Sequence, residues 1–228
     1  MCPEFDKYAA AGYEKLLCDP LRARFGESRF YFERKLTLLR SLCERYGMPT
    51  RTASWLDVGC GDGTLLRMGK QHFGQVAGCD VSAGMIEGSE DLNIQQQSSP
   101  RRIPFADERF DLVTAVCVFH HVDIADRPFL TADMSRVLKA NGLFCVIEHN
   151  PLNPIARLIV RRCPIDSQAH LLTAAKARRL VRHAQMKVLT THYFLYFPER
   201  YYSKMAAAED LLWRVPLGGQ YAIMCRHI

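Results

Sequence analysis

Apolar positions along this chain follow two rhythms. Between residues 28 and 47, Phe30, Phe32, Leu36, Leu39 and Leu42 recur on a helical period, which predicts an amphipathic helix stopped by Gly47 and Pro49. From residue 54 the rhythm becomes one of short, mostly apolar runs, with a more polar one at Leu92 to Gln97. Ser54 to Val58, Gln75 to Cys79, Leu92 to Gln97, Phe110 to Phe119 and Leu143 to Ile147 read as strands. Between them, Leu65 to Phe73, about 83–91 and Arg127 to Leu138 read as helices, with Ser82 as an N-cap and Asn141-Gly142 as a stop. After residue 150, helices are expected near 154–162 and 173–185. Two late strands follow, Val188 to Phe197 and Gln220 to Arg226, with 199–217 inserted between them.

Strands alternating with helices at this spacing predict an α/β fold. The expectation is a doubly wound, Rossmann-like, mostly parallel sheet of seven strands, with helices on both faces and an antiparallel edge. Strands this apolar are buried on both sides, as in a parallel sheet.

Composition narrows the class without naming a chemistry. Hydrophobic residues make up 48% and charged residues 24% of the 228, the mixture of an ordinary soluble globule. Met1 to Ala10 has neither a basic start nor an apolar stretch, so no signal peptide is expected, and no apolar run approaches the roughly 20 residues of a spanning helix. Nine cysteines include no C-x-x-C pair, which removes support for zinc ribbons and thioredoxin-like motifs. Free thiols in a reducing, cytoplasmic compartment are expected. The net charge of +6 is uneven: residues 151–190 hold eight basic side chains and one acid, Asp166, and the rest is near neutral. A local partner, such as an anionic acceptor or an anionic surface, is one reading of that segment. A solvated helix surface is the other.

The strongest chemical signal is Leu56-Asp57-Val58-Gly59-Cys60-Gly61-Asp62-Gly63-Thr64, a strand entering a glycine turn and then a helix. In open α/β sheets, ligands bind outside the carboxyl ends of strands where the winding direction switches. A nicotinamide-binding turn needs G-x-G-x-x-G. Here the third glycine comes one place early, and an acid precedes the first. An adenosyl ligand without phosphates suits this turn better.

The run Asp57-x-Gly59-x-Gly61-x-Gly63 resembles motif I of class I S-adenosylmethionine (SAM) methyltransferases. Three further segments resemble that family in order and spacing: Gly78 to Met85, Ile103-Pro104-Phe105 to Val113, and Val137-Leu138-Lys139 to Leu143. Together they cover about residues 54–150. Glu148 to Pro154 with Arg162 to Asp166 is similar to a bacterial "type 11" subgroup. The resemblance implies one domain, 1–228, with an N-terminal helical cap (1–50), a SAM-binding half (51–150) and a substrate-side half (151–228). It implies SAM as cofactor, held by Asp57, Gly59, Cys60, Gly61, Gly63, Asp80, Val81, Met85, Ser99, Pro100 and Cys117. Asp80 would accept the ribose hydroxyls, and Met85 would cover the adenine. Ser99 stands where the family commonly has an acid, so one neutral hydrogen bond replaces a charged one.

His121, Glu148 and His149 end the fourth and fifth strands and are the candidate catalytic groups. A base is needed only where the nucleophile must lose a proton, and imidazole suits that near neutral pH. His120 and His121 are adjacent on an expected strand end, so at most one is expected to face the pocket. No metal is expected. The acceptor is expected to be a small molecule attacking through oxygen, nitrogen or carbon, with anionic, lipid-linked and quinone-linked molecules among the candidates. Nucleic acid is not the expected partner. A nicotinamide oxidoreductase and a SAM-binding module without turnover are the alternatives.

Overall fold

The computed structural model describes residue 12 and residues 19–227. The reading of Met1 to Ala10 and the cysteines at 2 and 18 lie outside them. Seven strands form one sheet: β1 (Ser54–Val58), β2 (Gln75–Asp80), β3 (Asn93–Gln96), β4 (Phe110–Val116), β5 (Leu138–His149), β6 (Met186–Phe194) and β7 (Gln220–His227). Their order is β3-β2-β1-β4-β5-β7-β6. The strands from β3 to β5 run parallel, and β7 pairs antiparallel with both β5 and β6. The chain winds outward from β1 to β3 and then returns to place β4 beside β1. The carboxyl ends of β1 and β4 therefore frame the switch point, where a ligand crevice opens.

Alternate strand residues feed two cores, as period-2 geometry requires. On one face Leu56, Val58, Val113, Ala115 and Phe144 meet Leu130 and Met134 of α4 (Arg127–Val137) and Val181 of α6 (Ala174–His183). On the other, Trp55, Leu112, Cys145 and Ile147 meet Leu39 and Leu42 of α1 (Ser28–Arg45) and Leu66 of α2 (Thr64–Gly69). Trp55 is fully buried, and its indole N–H is satisfied by Thr114 Oγ1 at 2.8 Å. The remaining helices are a single turn at Pro20–Ala23, α3 (Ala83–Ile86), α5 (Pro154–Arg162) and α7 (Glu199–Leu212).

Several boundaries differ from the sequence expectation. The strand expected over Phe110 to Phe119 stops at Val116, because Cys117 takes φ +59 and Phe119–His121 coils into a 3-10 turn. The expected helix 83–91 is a single turn, capped by Ser82 Oγ accepting from the Met85 N–H at 3.2 Å and closed before Gly88 at φ +80. β5 begins at Leu138, which pairs with Phe110 across a register shift, so Asn141-Gly142 lies inside the strand. The expected insertion 199–217 contains α7. The seven described cysteines are all unpaired. Among the described residues no helix is long and apolar enough to cross a membrane.

Candidate active site

β1 delivers Asp57 and then the turn Gly59–Gly63 to the switch point. The turn is fastened from β2: Asp80 accepts from the Gly61 N–H and the Ser82 N–H, each at 2.9 Å. Gly61 has φ +56, lines the cavity, and would place a Cβ 3.2 Å from Met85 Cε. Gly63 has a different reason to be glycine. At φ +77 it opens α2, and a Cβ there would meet Leu92 Cδ1 at 2.6 Å.

Beneath the turn, Asp57 is buried and accepts from Thr114 Oγ1 at 2.5 Å. Burial drives its carboxyl up to about 7, against the Thr114 bond and the Lys35 ammonium, which favour the ionised form. Lys35 comes from α1 and is itself buried, with Nζ 3.5 Å from Cys117 Sγ. Burial raises the Cys117 thiol, but the charges of Lys35 and His149 outweigh it and bring the group to about 7. This end of the cavity thus holds acids and a thiol beside one fixed cation.

The other end holds imidazoles. The 3-10 turn after β4 curls both His120 and His121 into the cavity lining, where a straight strand would have admitted only one. The expectation that they point opposite ways is corrected accordingly. His120 Nδ1 lies 2.6 Å from Glu148 Oε2, and its Nε2 lies 3.3 Å from Asp166 Oδ1. Glu148 also accepts from the Phe119 N–H at 2.7 Å. Burial alone would strip the proton from His120. The Glu148 charge and the bonds to Asp166 and Glu148 prevail and raise it to about 10. His121 behaves oppositely: burial and the neighbouring His120 charge lower its pKa, despite Asp166 at 3.2 Å from Nε2. Burial opposes ionisation of Asp166, yet the bonds from His120 and His121 hold it well below the carboxylate range. An imidazolium thus sits between two carboxylates, with a neutral imidazole beside it.

The cavity gathers Asp57, Gly59, Cys60, Gly61, Cys117, His121 and His149 from the expected set. Glu148, expected beside the reacting atoms, is fully buried behind His120 and does not line the cavity. Gly63, Asp80, Val81, Met85, Ser99 and Pro100 lie outside it too, towards β2 and β3. Ser99 Oγ accepts from the Arg101 N–H at 3.1 Å. Sequence reasoning assigned no site role to Lys35 or Gln220, weighed His120 only as the alternative to His121, and placed Asp166 only within the substrate-side segment; all four line the cavity. The only signal for Asp166 was its place in the segment after α5. His120, His121 and Asp166 bring three metal-ligand atoms within 4.8 Å of one another. In the folded chain a proton on His120 already supplies positive charge between Asp166 and Glu148.

One wall of the cavity comes from the segment after β5. Asn153 caps α5 by accepting from the Ala156 N–H at 2.8 Å and donates to the Leu217 carbonyl at 2.7 Å. Asn150 Nδ2 donates to the carbonyls of Pro216 and Gly218, at 3.0 and 2.8 Å. These bonds hang α5 over the cavity, so that Ile155, Ile159 and Ile165 line it. The basic segment splits here. α5 borders the cavity, whereas α6 does not, and Arg178 of α6 instead bonds Thr191 Oγ1 on β6 at 3.3 Å.

Residues 56–146 match the family model described as a methyltransferase domain. A demethylmenaquinone methyltransferase from Symbiobacterium thermophilum is 33% identical over 116 residues, covering 46% of this chain and 45% of that protein. A probable tRNA methyltransferase 9B from Homo sapiens is 30% identical over 88 residues, covering 38% and 19%. The chain thus spans less than half the length of these relatives. Among solved structures, the putative methyltransferase complexed with the Haloferax volcanii Trm112 activator superposes with a TM-score of 0.65 at 19% identity, covering 97% of this chain and 96% of that one. That likeness shows a shared fold.

Proposed function

We propose that this chain, whose residues 56–146 match the methyltransferase-domain family model, moves a methyl group from SAM to a hydroxyl-bearing small molecule with an apolar body. One observation carries the reading: the glycine turn and the imidazole cluster open into the same cavity at the β1–β4 switch point.

The residues suit the cofactor. The Gly61 backbone leaves a cradle that a side chain would fill, and carboxylates stand on both sides of the turn. Asp57 faces the cavity, where an ammonium group would favour its ionised form, pull its raised pKa back down and gain a charged partner. Asp80, an ionisable acceptor with about four lone-pair sites, would be the partner for the ribose hydroxyls. Val81, Met85, Ser99 and Pro100 would line the adenine side, with Cys60 and Cys117 beside the turn. SAM supplies a carbon already activated for displacement by its sulfonium.

The chain's own part is alignment, exclusion of water and management of one proton. His121 is neutral near pH 7 and is the candidate base. Asp166 orients it and favours the charged form it would take. His120, pinned by Glu148, fixes the place of Asp166, so Glu148 acts as a positioning residue. His149 stands at the mouth of β5 near Cys117 and Gln220, and is the second candidate to touch the acceptor. Residues 151–228 supply the substrate wall. Phe25, Phe30, Phe197, Ile159 and Ile165 make its interior apolar, which supports an acceptor of the phenol or quinol type.

The test incubates the protein with labelled SAM and a lipid extract containing quinols, then repeats it with His121→Ala. Label in an extractable product that falls at least about 10²-fold in the variant, with SAM affinity unchanged, supports the reading. Binding of SAM without transfer to any extract would reduce the protein to a SAM-binding module.

A further inference from the structure

The wall over the cavity also has an outer side. Leu152, Ile155 and Leu158 are 57%, 43% and 49% exposed. Leu217, also exposed, is tied to this group through its carbonyl bond from Asn153. Large aliphatic side chains left in water close together in one short segment mark a candidate interaction surface, whereas Leu36, Leu39, Leu42, Leu56, Leu112 and Leu143 are buried in the sheet cores. On α5, residues 155 and 158 project to one flank of the outward side, and 157 and 161 to the other. Arg157 and Arg161 are exposed and make no ion pair among the described residues, while Arg162 pairs with Asp19 at 3.0 Å. α5 contains three arginines and no acid.

We infer that this face docks on an anionic lipid bilayer, with Leu152, Leu158 and Leu217 entering the headgroup boundary and Arg157 and Arg161 meeting lipid phosphates. The chemistry favours a bilayer over a protein partner. The apolar elements are aliphatic and form a ridge, the only charges among them are positive, and nothing on the helix would answer a cationic partner. Ile155 joins the two sides: it is exposed on the ridge and lines the cavity with Ile159. An apolar acceptor dissolved in the bilayer reaches the imidazoles along this edge without crossing water. This last step rests on the proposed methyl transfer. The docking itself does not.

Vesicle co-sedimentation tests the docking without any acceptor. The protein is mixed with vesicles of phosphatidylcholine alone, or of phosphatidylcholine with phosphatidylglycerol. Binding is expected only to the second kind, weakening as salt rises from about 0.05 to 0.5 M. Arg157→Gln and Arg161→Gln should each weaken it about fivefold. Leu152→Glu/Leu158→Glu should abolish it. None of these four residues lines the cavity, so SAM calorimetry on each variant checks that the fold and cofactor site persist. Equal binding to both vesicle types, no binding to either, or phosphatidylglycerol binding that ignores the substitutions would overturn the proposal. A concentration-dependent dimer that Leu152→Glu/Leu158→Glu dissociates, without vesicle binding, would assign the face to a second copy and equally overturn it. Vesicle binding by a protein that takes no SAM would leave the docking standing and remove the methyl-transfer reading.

Discussion

Replacing Asp166 with asparagine keeps the shape of the imidazole cluster and deletes one charge. Asp166 Oδ1 lies 3.3 Å from His120 Nε2 and 3.2 Å from His121 Nε2. An opposite charge at such range shifts a pKa by about one to three units, or about 1.4–4 kcal/mol. Coulomb's law at 3.2 Å with an effective dielectric near 20 gives about 5 kcal/mol, so the top of that range is physically accessible. The sign is downward for both bases. His120, at about 10 in the folded protein, should fall to between about 7 and 9, because Glu148 still holds Nδ1. His121, already lowered by burial, loses its attractive partner and falls further until His120 deprotonates and relieves the repulsion. The two proteins should therefore differ most between about pH 7 and 10. Imidazole resonances followed by NMR through a pH titration read this directly, with no acceptor required. A His120 midpoint in Asp166→Asn within about half a unit of the parent would refute the charge-sandwich account. Turnover should fall at least about tenfold while SAM affinity stays within about threefold, because Asp166 acts through His121.

Calorimetry should show heat for SAM and for S-adenosylhomocysteine and none for NAD, and Asp80→Ala should cost SAM about 1.5–3 kcal/mol. Part of that loss would come from releasing the Gly61 N–H, so Asp80→Asn should retain more affinity than Asp80→Ala. Gly61→Val should fold and fail to bind SAM, since the branched side chain would push on Met85 and fill the cradle; circular dichroism with calorimetry checks both halves. Of the single variants His121→Ala and His149→Ala, the one lacking the true base should lose about 10²–10⁴ in kcat. Two variants within about threefold of the parent would leave alignment as the whole mechanism. Exhaustive chelation should leave the rate unchanged; activity lost and restored by one divalent ion would reassign His120, His121 and Asp166 as its ligands.

The fold was readable because its determinants are local. Ser54–Val58 and Phe110–Val116 are predominantly apolar runs, and burial on both faces of a parallel sheet selects for that pattern whatever surrounds it. The antiparallel edge was readable for the same reason, from two late apolar runs. Boundaries failed where one residue's backbone decided them. Nothing in the composition of Ala115-Val116-Cys117-Val118-Phe119 marks a strand end. The strand stops because Cys117 adopts φ +59, and its thiol lies against Lys35 and Gln220 at the cavity floor. A non-glycine residue in that region is uncommon and costs of order 1 kcal/mol, which the surrounding packing must supply.

That single kink also explains why the site was only half legible. Asp57, Gly59 and Gly61 belong to a motif contiguous in sequence, so their place in the cavity at the switch point could be expected from that motif. The acceptor side is assembled from places far apart in the chain. A strand continued through 119 would have sent His120 and His121 to opposite faces. With β4 ended at Val116, the following 3-10 turn brings both rings together, their centroids 4.0 Å apart. Two adjacent imidazoles in one buried space cannot both be charged without cost. The chain resolves this by giving one of them two carboxylates, Glu148 from the end of β5 and Asp166 from the turn after α5. Neither acid is near the histidines in sequence, and their meeting depends on α5 being hung from 216–218 by Asn150 and Asn153. The asymmetry that results, one imidazole held protonated and its neighbour held neutral, is what the proposed base role of His121 rests on. It is a property of the assembled walls rather than of any segment.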